Sequence, residues 1–285
     1  MIERLAWVTA GEARGRDPDE PLVLALLTAA GVAVSVVDWD DDAVEWQGFD
    51  RAVIRSPWDY QDRAEDFLRW MTRVEHLTDL RNPVAPMRWS LDKRYLRELS
   101  EAGIPVIPTD VIGPDSVLRC PDVAWVVKPS VGAGSRDVVA YRPGQEEQAA
   151  VHVAGLHRRG VAALVQPLLE SVARDGEWPM VFFGGRFSHT ASKRVSLPDP
   201  RRPGGLFAME SNEPCRATPD QIAVAEQVMA YVHRLFGALT YARVDLVRND
   251  VGGYLVLEVE LVEPSLFLPE GGPDSVRRCA EALLG

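Results

Sequence analysis

Two hydrophobic periods alternate along this chain, and that alternation narrows its fold more than any single motif. RLAWVT at residues 4–9, VAVSVVD at 32–38 and RAVIRS at 51–56 are short apolar runs that read as strands. Between and after them the period lengthens. In PLVLALLTAAG, Leu22, Leu26 and Ala29 stand at helical spacing before Gly31, and Phe67, Trp70, Met71 and Val74 repeat the pattern. A chain that switches periods in this way packs helices on a sheet, so residues 1–80 read as a small β-α-β-α lobe, with Pro83 and Pro86 marking its end.

The switching continues. Ser90 reads as the cap of a helix from Leu91 to Ala102 that Gly103 terminates, and IPVIPTDVI and VAWVVKP are strand-like. Residues 145–158 return to helix, AALVQPLL to strand, and MVFFGGRFSHTA reads as a hairpin turning on Gly184 and Gly185. Ser192 to Asn212, rich in Pro, Gly and Arg, is too long for an ordinary connection and reads as a cover over a site. Thr218, Pro219 and Gln221 begin a capping-box helix, and TYARVDLVR and GYLVLEVELV supply the last two strands. At 285 residues the chain exceeds one average domain. The expected division is an amino-terminal α/β lobe (1–88), a central lobe (89–159) and a carboxyl-terminal lobe (160–285) around a shared cleft.

Thirty-one basic against 42 acidic residues give a net charge of −11, which argues against nucleic acid as a partner. Cys120, Cys215 and Cys279 are scattered, odd in number and without metal-ligand spacing, as expected of a reducing compartment without disulfides or zinc. MIERLAWVTAGEARG runs into a strand without the apolar core of a signal peptide or membrane span, so the reading is a cytoplasmic protein without a membrane partner. Self-association into a homo-oligomer is left open.

Two constellations carry chemistry. VVKPSVGAGSRDV sets Lys128 at the end of an apolar strand, followed by Ser130, Gly132, Gly134 and Ser135 in a turn whose backbone N–H groups can face phosphate oxygens. A glycine-rich hairpin with a solvated lysine fits the stretch equally well. The Walker pattern is absent, and a strand follows where a dinucleotide fingerprint needs a helix. In YARVDLVRNDVGGYLVLEVELVEPS, Arg243 and Asp245 share one face of a strand and Glu258 and Glu260 one face of the next. Pairing across Asn249–Gly253 brings three carboxylates and an arginine together, a set suited to magnesium. The alternative is a hairpin whose polar face meets water. Lys93, one turn into its helix, is a further candidate phosphate cation, the backbone of Gln166, Pro167, Leu168 and Leu169 can bind an adenine edge, and Glu177 can take ribose hydroxyls; each also reads as ordinary surface.

Taken in order, these segments resemble the ATP-grasp superfamily over nearly the whole chain. The resemblance implies an α/β amino-terminal lobe followed by two α+β lobes that sandwich ATP. It places Lys93 and Lys128 on the α- and β-phosphates, Ser130 through Ser135 in a glycine lid, Gln166 to Leu169 at the adenine and Glu177 at the ribose. Arg243 falls on the transferring phosphate, and Asp245, Glu258 and Glu260 bridge two magnesium ions. Glu260 stands where many members have asparagine. Pro179 stands where glutathione synthetase-like members carry an arginine, leaving Lys193 or Arg194 to supply that charge.

The implied reaction is ligation: ATP phosphorylates a small-molecule carboxylate and a nitrogen nucleophile displaces phosphate. Arg55, Ser56, Trp58, Asp59 and Tyr60, at a strand's carboxyl end in the first lobe, are candidates for an amino-acid-like substrate; a structured turn with Trp58 packed inside is the competing reading. SPWDY and VEPSLFL, the latter containing Ser265, resemble the cyclo-ligase branch that closes O-ureido-D-serine to D-cycloserine. Coupling of two amino acids, phosphorylation without ligation, and a catalytically silent nucleotide-binding subunit are the alternatives.

Overall fold

The structure is a computed structural model that describes residues 2–132, 136–195 and 210–285. Its first sheet is parallel. β1 (Arg4–Thr9), α1 (Glu20–Ala29), β2 (Ala33–Asp38), β3 (Arg51–Ser56), α2 (Ala64–Glu75) and β4 (Asp79–Arg81) give the strand order β2-β1-β3-β4. Helices cover both faces, so β1 alternates between two cores. Ala6 and Val8 pack with Phe67, Trp70, Met71 and Val74 of α2, while Leu5 and Trp7 pack with α1 on the other side. The buried stripe of α1 is Val23 and Leu27. Leu22 and Leu26, which the spacing placed inward, are 37% and 39% exposed, because both stripes repeat every four residues and only the neighbouring helix decides between them.

Ser90 lies inside α3 (Val84–Leu91), and the next helix, α4, starts only at Tyr95 and runs to Glu101. The single helix expected from Leu91 is therefore broken, and Asp92 accepts the Arg94 N–H in the break. A second, antiparallel sheet follows, from β5 (Asp110–Ile112), β6 (Trp125–Pro129), β7 (Val139–Tyr141), α5 (Glu146–Arg158) and β8 (Ala163–Pro167), in the order β5-β8-β6-β7. Trp125 and Val127 pack beneath Ala149, Val153 and Leu156 of α5, which turns Val126 and Lys128 to the opposite face. β8 pairs with both β5 and β6, so a lobe boundary at residue 160 cuts through this sheet.

The stretch after β8 opens with the short helix α6 (Glu170–Asp175). The third sheet comprises β9 (Trp178–Phe183), β10 (Arg186–Val195), β11 (Glu210–Cys215), β12 (Tyr241–Arg248) and β13 (Tyr254–Glu260), in the order β11-β10-β9-β12-β13; α7 (Pro219–Phe236) lies between β11 and β12 in the chain. The hairpin on Gly184 and Gly185 is present, both with positive φ. Thr218 and Gln221 cap α7 reciprocally. Ala225, Val228, Met229 and Val232 of α7 cover one face of the sheet and leave the other for the cleft. Of the expected cover, residues 192–195 belong to β10 and 210–212 to β11; the rest lies outside the described residues.

Two last helices, α8 (Leu268–Gly271) and α9 (Pro273–Leu284), carry the chain back to the first lobe, where Val276, Cys279, Ala280 and Leu283 pack on Leu5, Trp7, Val23 and Leu27. No helix among the described residues is long and apolar enough to cross a membrane.

Candidate active site

A cleft of about 570 Å³ opens between the second and third sheets and reaches the carboxyl end of the first. β12 and β13 build its acidic wall. Arg243 pairs with Glu260 and Asp245 with Glu258 across the antiparallel ladder. Beyond Glu258 the ladder slips by one residue, so that Leu246 faces Val256. This bulge lets Val256 enter the core under α7 while Leu257 and Glu258 both line the cleft. Oxygens of Asp245, Glu258 and Glu260 lie within 4.8 Å of one another. Arg243 joins two of them: it donates from Nε to Asp245 Oδ1 at 2.7 Å, from Nη2 to Oδ2 at 2.9 Å, and from Nη2 to Glu260. Its remaining arm, Nη1, holds the Ser265 carbonyl at 3.0 Å, and its guanidinium lies over Phe267 at 5.5 Å.

Lysines face that wall. Lys93 sits in the break between α3 and α4, not inside a helix, with its backbone N–H donated to Ser130 O at 2.8 Å. The break aims Nζ at Glu258, 2.9 Å away, and at the Gly132 carbonyl. Burial alone would raise the Glu258 carboxyl, but Lys93 and Lys128 outweigh it and hold it below the usual range. Among the described residues Lys128 has no ion-pair partner so close, and burial pushes its ammonium down to about 8. Glu260 is the opposite case: burial raises its carboxyl to about 8 despite Arg243, with Glu258 and Asp245 adding to the rise. Lys193 on β10 meets Glu177 at 3.3 Å and Glu210 at 3.7 Å; burial works against its charge, yet Glu177 and Asp245 hold it well above the ordinary lysine value.

Most of the residues singled out in the sequence come together here. Trp58, Lys93, Lys128, Gly132, Gln166, Pro167, Leu168, Leu169, Glu177, Lys193, Arg243, Glu258, Glu260 and Ser265 line the cleft, with Asp245 behind the Arg243 guanidinium. The Gln166 side chain is held by Thr109, leaving backbone to serve a ligand. Ser130 is buried between Lys93 and Ala162 as a backbone joint. Gly134 and Ser135 lie outside the described residues.

Others are elsewhere. Arg194, one residue beyond Lys193, points out of the opposite strand face and donates to the Arg174 carbonyl, so it cannot supply the charge missing at Pro179. Arg55 is 1% exposed and outside the cleft, donating to the Pro264 carbonyl at 2.9 Å and facing Asp19 at 3.5 Å. Ser56 is buried against Thr9, 2.8 Å between hydroxyls, and Asp59 accepts from Trp39 Nε1. Tyr60 borders a separate cavity of about 20 Å³ beside Lys93 and Glu260. Cleft residues not singled out in the sequence include Gln61, Glu263 and Phe267. Of these, only Phe267, with its positive φ of 50°, departs from ordinary geometry, and sequence carries no mark of that.

The same fold recurs in solved structures. A D-alanine–D-alanine ligase of Bacillus anthracis in complex with ATP superposes with a TM-score of 0.69 over 99% of this chain and 97% of that one, at 14% identity, which establishes the fold alone. Fold and cleft together define an ATP-grasp ligase, an enzyme that forms a carbon–nitrogen bond and releases ADP. The crystal structure of D-cycloserine synthetase DcsG matches far more closely, with a TM-score of 0.87 and 37% identity over 98% of both chains. The cycloserine biosynthesis protein DcsG of Streptomyces lavendulae is 38% identical over 98% of this chain and 97% of that protein, and the family described as D-cycloserine synthetase DcsG, N-terminal domain, matches residues 5–82. The chain belongs to the D-cycloserine synthetase family.

Proposed function

We propose that this enzyme closes O-ureido-D-serine to D-cycloserine, using ATP to activate the substrate carboxylate and releasing ADP and phosphate, while one water cleaves the carbamoyl group from the ring nitrogen as carbon dioxide and ammonia. The observation that carries the ligase chemistry is the wall of Asp245, Glu258, Glu260 and Arg243 facing Lys93 and Lys128 across one cleft. The identity of the substrate rests on the kinship with DcsG.

In this reading Lys93 and Lys128 receive the α- and β-phosphates, the backbone from Gln166 to Leu169 the adenine, and Glu177 the ribose, with Lys193 holding the glutamate in place. The three carboxylates fit magnesium: all donors are oxygens, they converge within 4.8 Å, and Glu260 is short of compensating positive charge. Two magnesium ions held by Asp245, Glu258 and Glu260 would supply charge neutralisation along the phosphates. Arg243, fixed by Asp245 and the Ser265 carbonyl, presents its guanidinium to the phosphoryl group in transit.

A cyclo-ligase needs no second substrate site. Carboxylate and nucleophile belong to one molecule, and the ureido nitrogen reaches the activated carbonyl by closing a five-membered ring, so holding one conformation provides the effective concentration. Phe267 and Trp58 line the cleft and keep water from the acyl phosphate. The test is incubation with magnesium, ATP and O-ureido-D-serine, with ADP release followed and the product weighed by mass spectrometry. D-cycloserine formed in step with ADP is expected. Background ADP release there, with coupling of two separate amino acids, would replace the cyclo-ligase by a dipeptide-type ligase.

A further inference from the structure

Of the acidic side chains in the cleft that serve neither the nucleotide nor the metal assignment, Glu210, Glu263 and Glu270, only Glu263 is buried. Glu263 leaves β13 three residues after Glu260, is 5% exposed, and borders both the main cleft and the small cavity at Tyr60. Tyr60 borders the same small cavity and acts on its carboxylate. Among the described residues Glu263 forms no ion pair, because the cations near it are engaged elsewhere: Lys93 with Glu258, and Arg243 with Asp245 and Glu260. A buried carboxylate of this kind is costly unless a cation arrives to pair with it. Burial raises the Glu263 carboxyl above the usual range, and Tyr60, Arg243 and Lys93 only partly offset that.

The arriving cation must reach Glu263 through the cleft, because the side chain borders that space and is otherwise buried. In an amino acid the ammonium and carboxylate hang on one α-carbon, so the protein groups that receive them must be neighbours. Arg243 is near enough for its charge to act on Glu263. Resting on the ligase reading above, we propose that Glu263, beside Tyr60, binds the α-ammonium group of the amino-acid substrate while the carboxylate of that molecule faces Arg243. The cleft then selects a zwitterion over a simple carboxylic acid, a specificity that the nucleotide and metal residues do not provide.

The experiment compares O-ureido-D-serine with its deamino counterpart, 3-(ureidooxy)propanoic acid, in wild type, Glu263→Gln and Tyr60→Phe, by ADP release at saturating ATP. Loss of one charge-assisted contact predicts a KM for O-ureido-D-serine about 10- to 100-fold higher in Glu263→Gln, with the KM for ATP unchanged. Wild type should favour the amino substrate by a similar factor, and Glu263→Gln should abolish that preference. Tyr60→Phe, expected to shift both quantities in the same direction by a smaller factor, decides the matter if circular dichroism finds Glu263→Gln unfolded. Full preference for the amino substrate in the folded variants would overturn the proposal. If wild type ignores O-ureido-D-serine but turns over another amino acid, the cyclo-ligase reading fails separately, and the same comparison with that amino acid and its deamino form still decides the role of Glu263.

Discussion

Arg55 and Arg243 grip adjacent carbonyls of one loop from opposite sides. Arg55 holds Pro264 O at 2.9 Å from the rear, and Arg243 holds Ser265 O at 3.0 Å from the cleft. Both are buried, both face an aspartate, and both lie over aromatic rings, Arg55 over Trp7 and Tyr241, Arg243 over Phe267. What separates them is the remaining environment. Asp19, the partner of Arg55, spends both oxygens on the N–H groups of Leu266 and Leu268, so that cluster fixes the loop from behind and lies outside the cleft. Arg243 opens onto Glu260 and the cleft. A buried, paired arginine thus serves structure or chemistry according to whether its partners leave a face for a ligand.

The comparison breaks most readily at the rear. Arg55→Met leaves Asp19 buried without its counter-charge, and loss of one partner of such a pair predicts about 3–5 kcal/mol of lost stability in urea unfolding. ATP affinity of the folded fraction should be unchanged; a stable variant that has lost activity would move Arg55 into the site. Arg243→Gln should instead lower kcat about 10²- to 10³-fold, the effect of removing one pre-aimed donor to developing charge, with a smaller fall in Tm than in Arg55→Met.

Lys128→Ala removes a cation beside the phosphates and should weaken ATP binding by about 1.5–3 kcal/mol, read by calorimetry. The same lysine gives a pH signature. Burial lowers its value to about 8, so the free enzyme loses this charge as pH rises through 8, and phosphates seated beside it draw the proton back. Magnesium-free ATP binding at pH 8.5 should therefore take up protons, seen as a dependence of binding heat on buffer ionisation enthalpy, and Lys128→Ala should abolish the uptake. The smallest contrast is on β10: Lys193→Ala should raise the KM for ATP by freeing Glu177, whereas Arg194→Ala, on the outer face, should leave all kinetic constants within about twofold.

The acidic wall was legible because β12 and β13 alternate with period two across a short turn, so sequence alone placed Arg243, Asp245, Glu258 and Glu260 together. The bulge at Leu257 was not, since nothing in LVLEVE distinguishes a slipped register from a regular one. β3 misled for a different reason. A parallel strand covered on both faces buries all six residues, so no alternation shows that neither Arg55 nor Ser56 reaches the cleft. The opposed fates of Lys193 and Arg194 follow from strand alternation once β10 is known to continue through them. Glu263 lay within a segment read only for its likeness to a family motif; it shares a small cavity with Tyr60, 203 positions earlier in the chain, a juxtaposition that no local pattern encodes.

Oxygen transfer tests the central claim most directly. With the carboxylate of O-ureido-D-serine labelled with ¹⁸O, attack of that carboxylate on the γ-phosphate of ATP, followed by ring closure, leaves one labelled oxygen on the phosphate released. The account predicts one ¹⁸O per inorganic phosphate, formed in step with D-cycloserine. D-cycloserine accompanied by unlabelled phosphate would contradict it, because the carboxylate would then never have been phosphorylated and the facing of Arg243 and the lysines across the cleft would serve some other reaction.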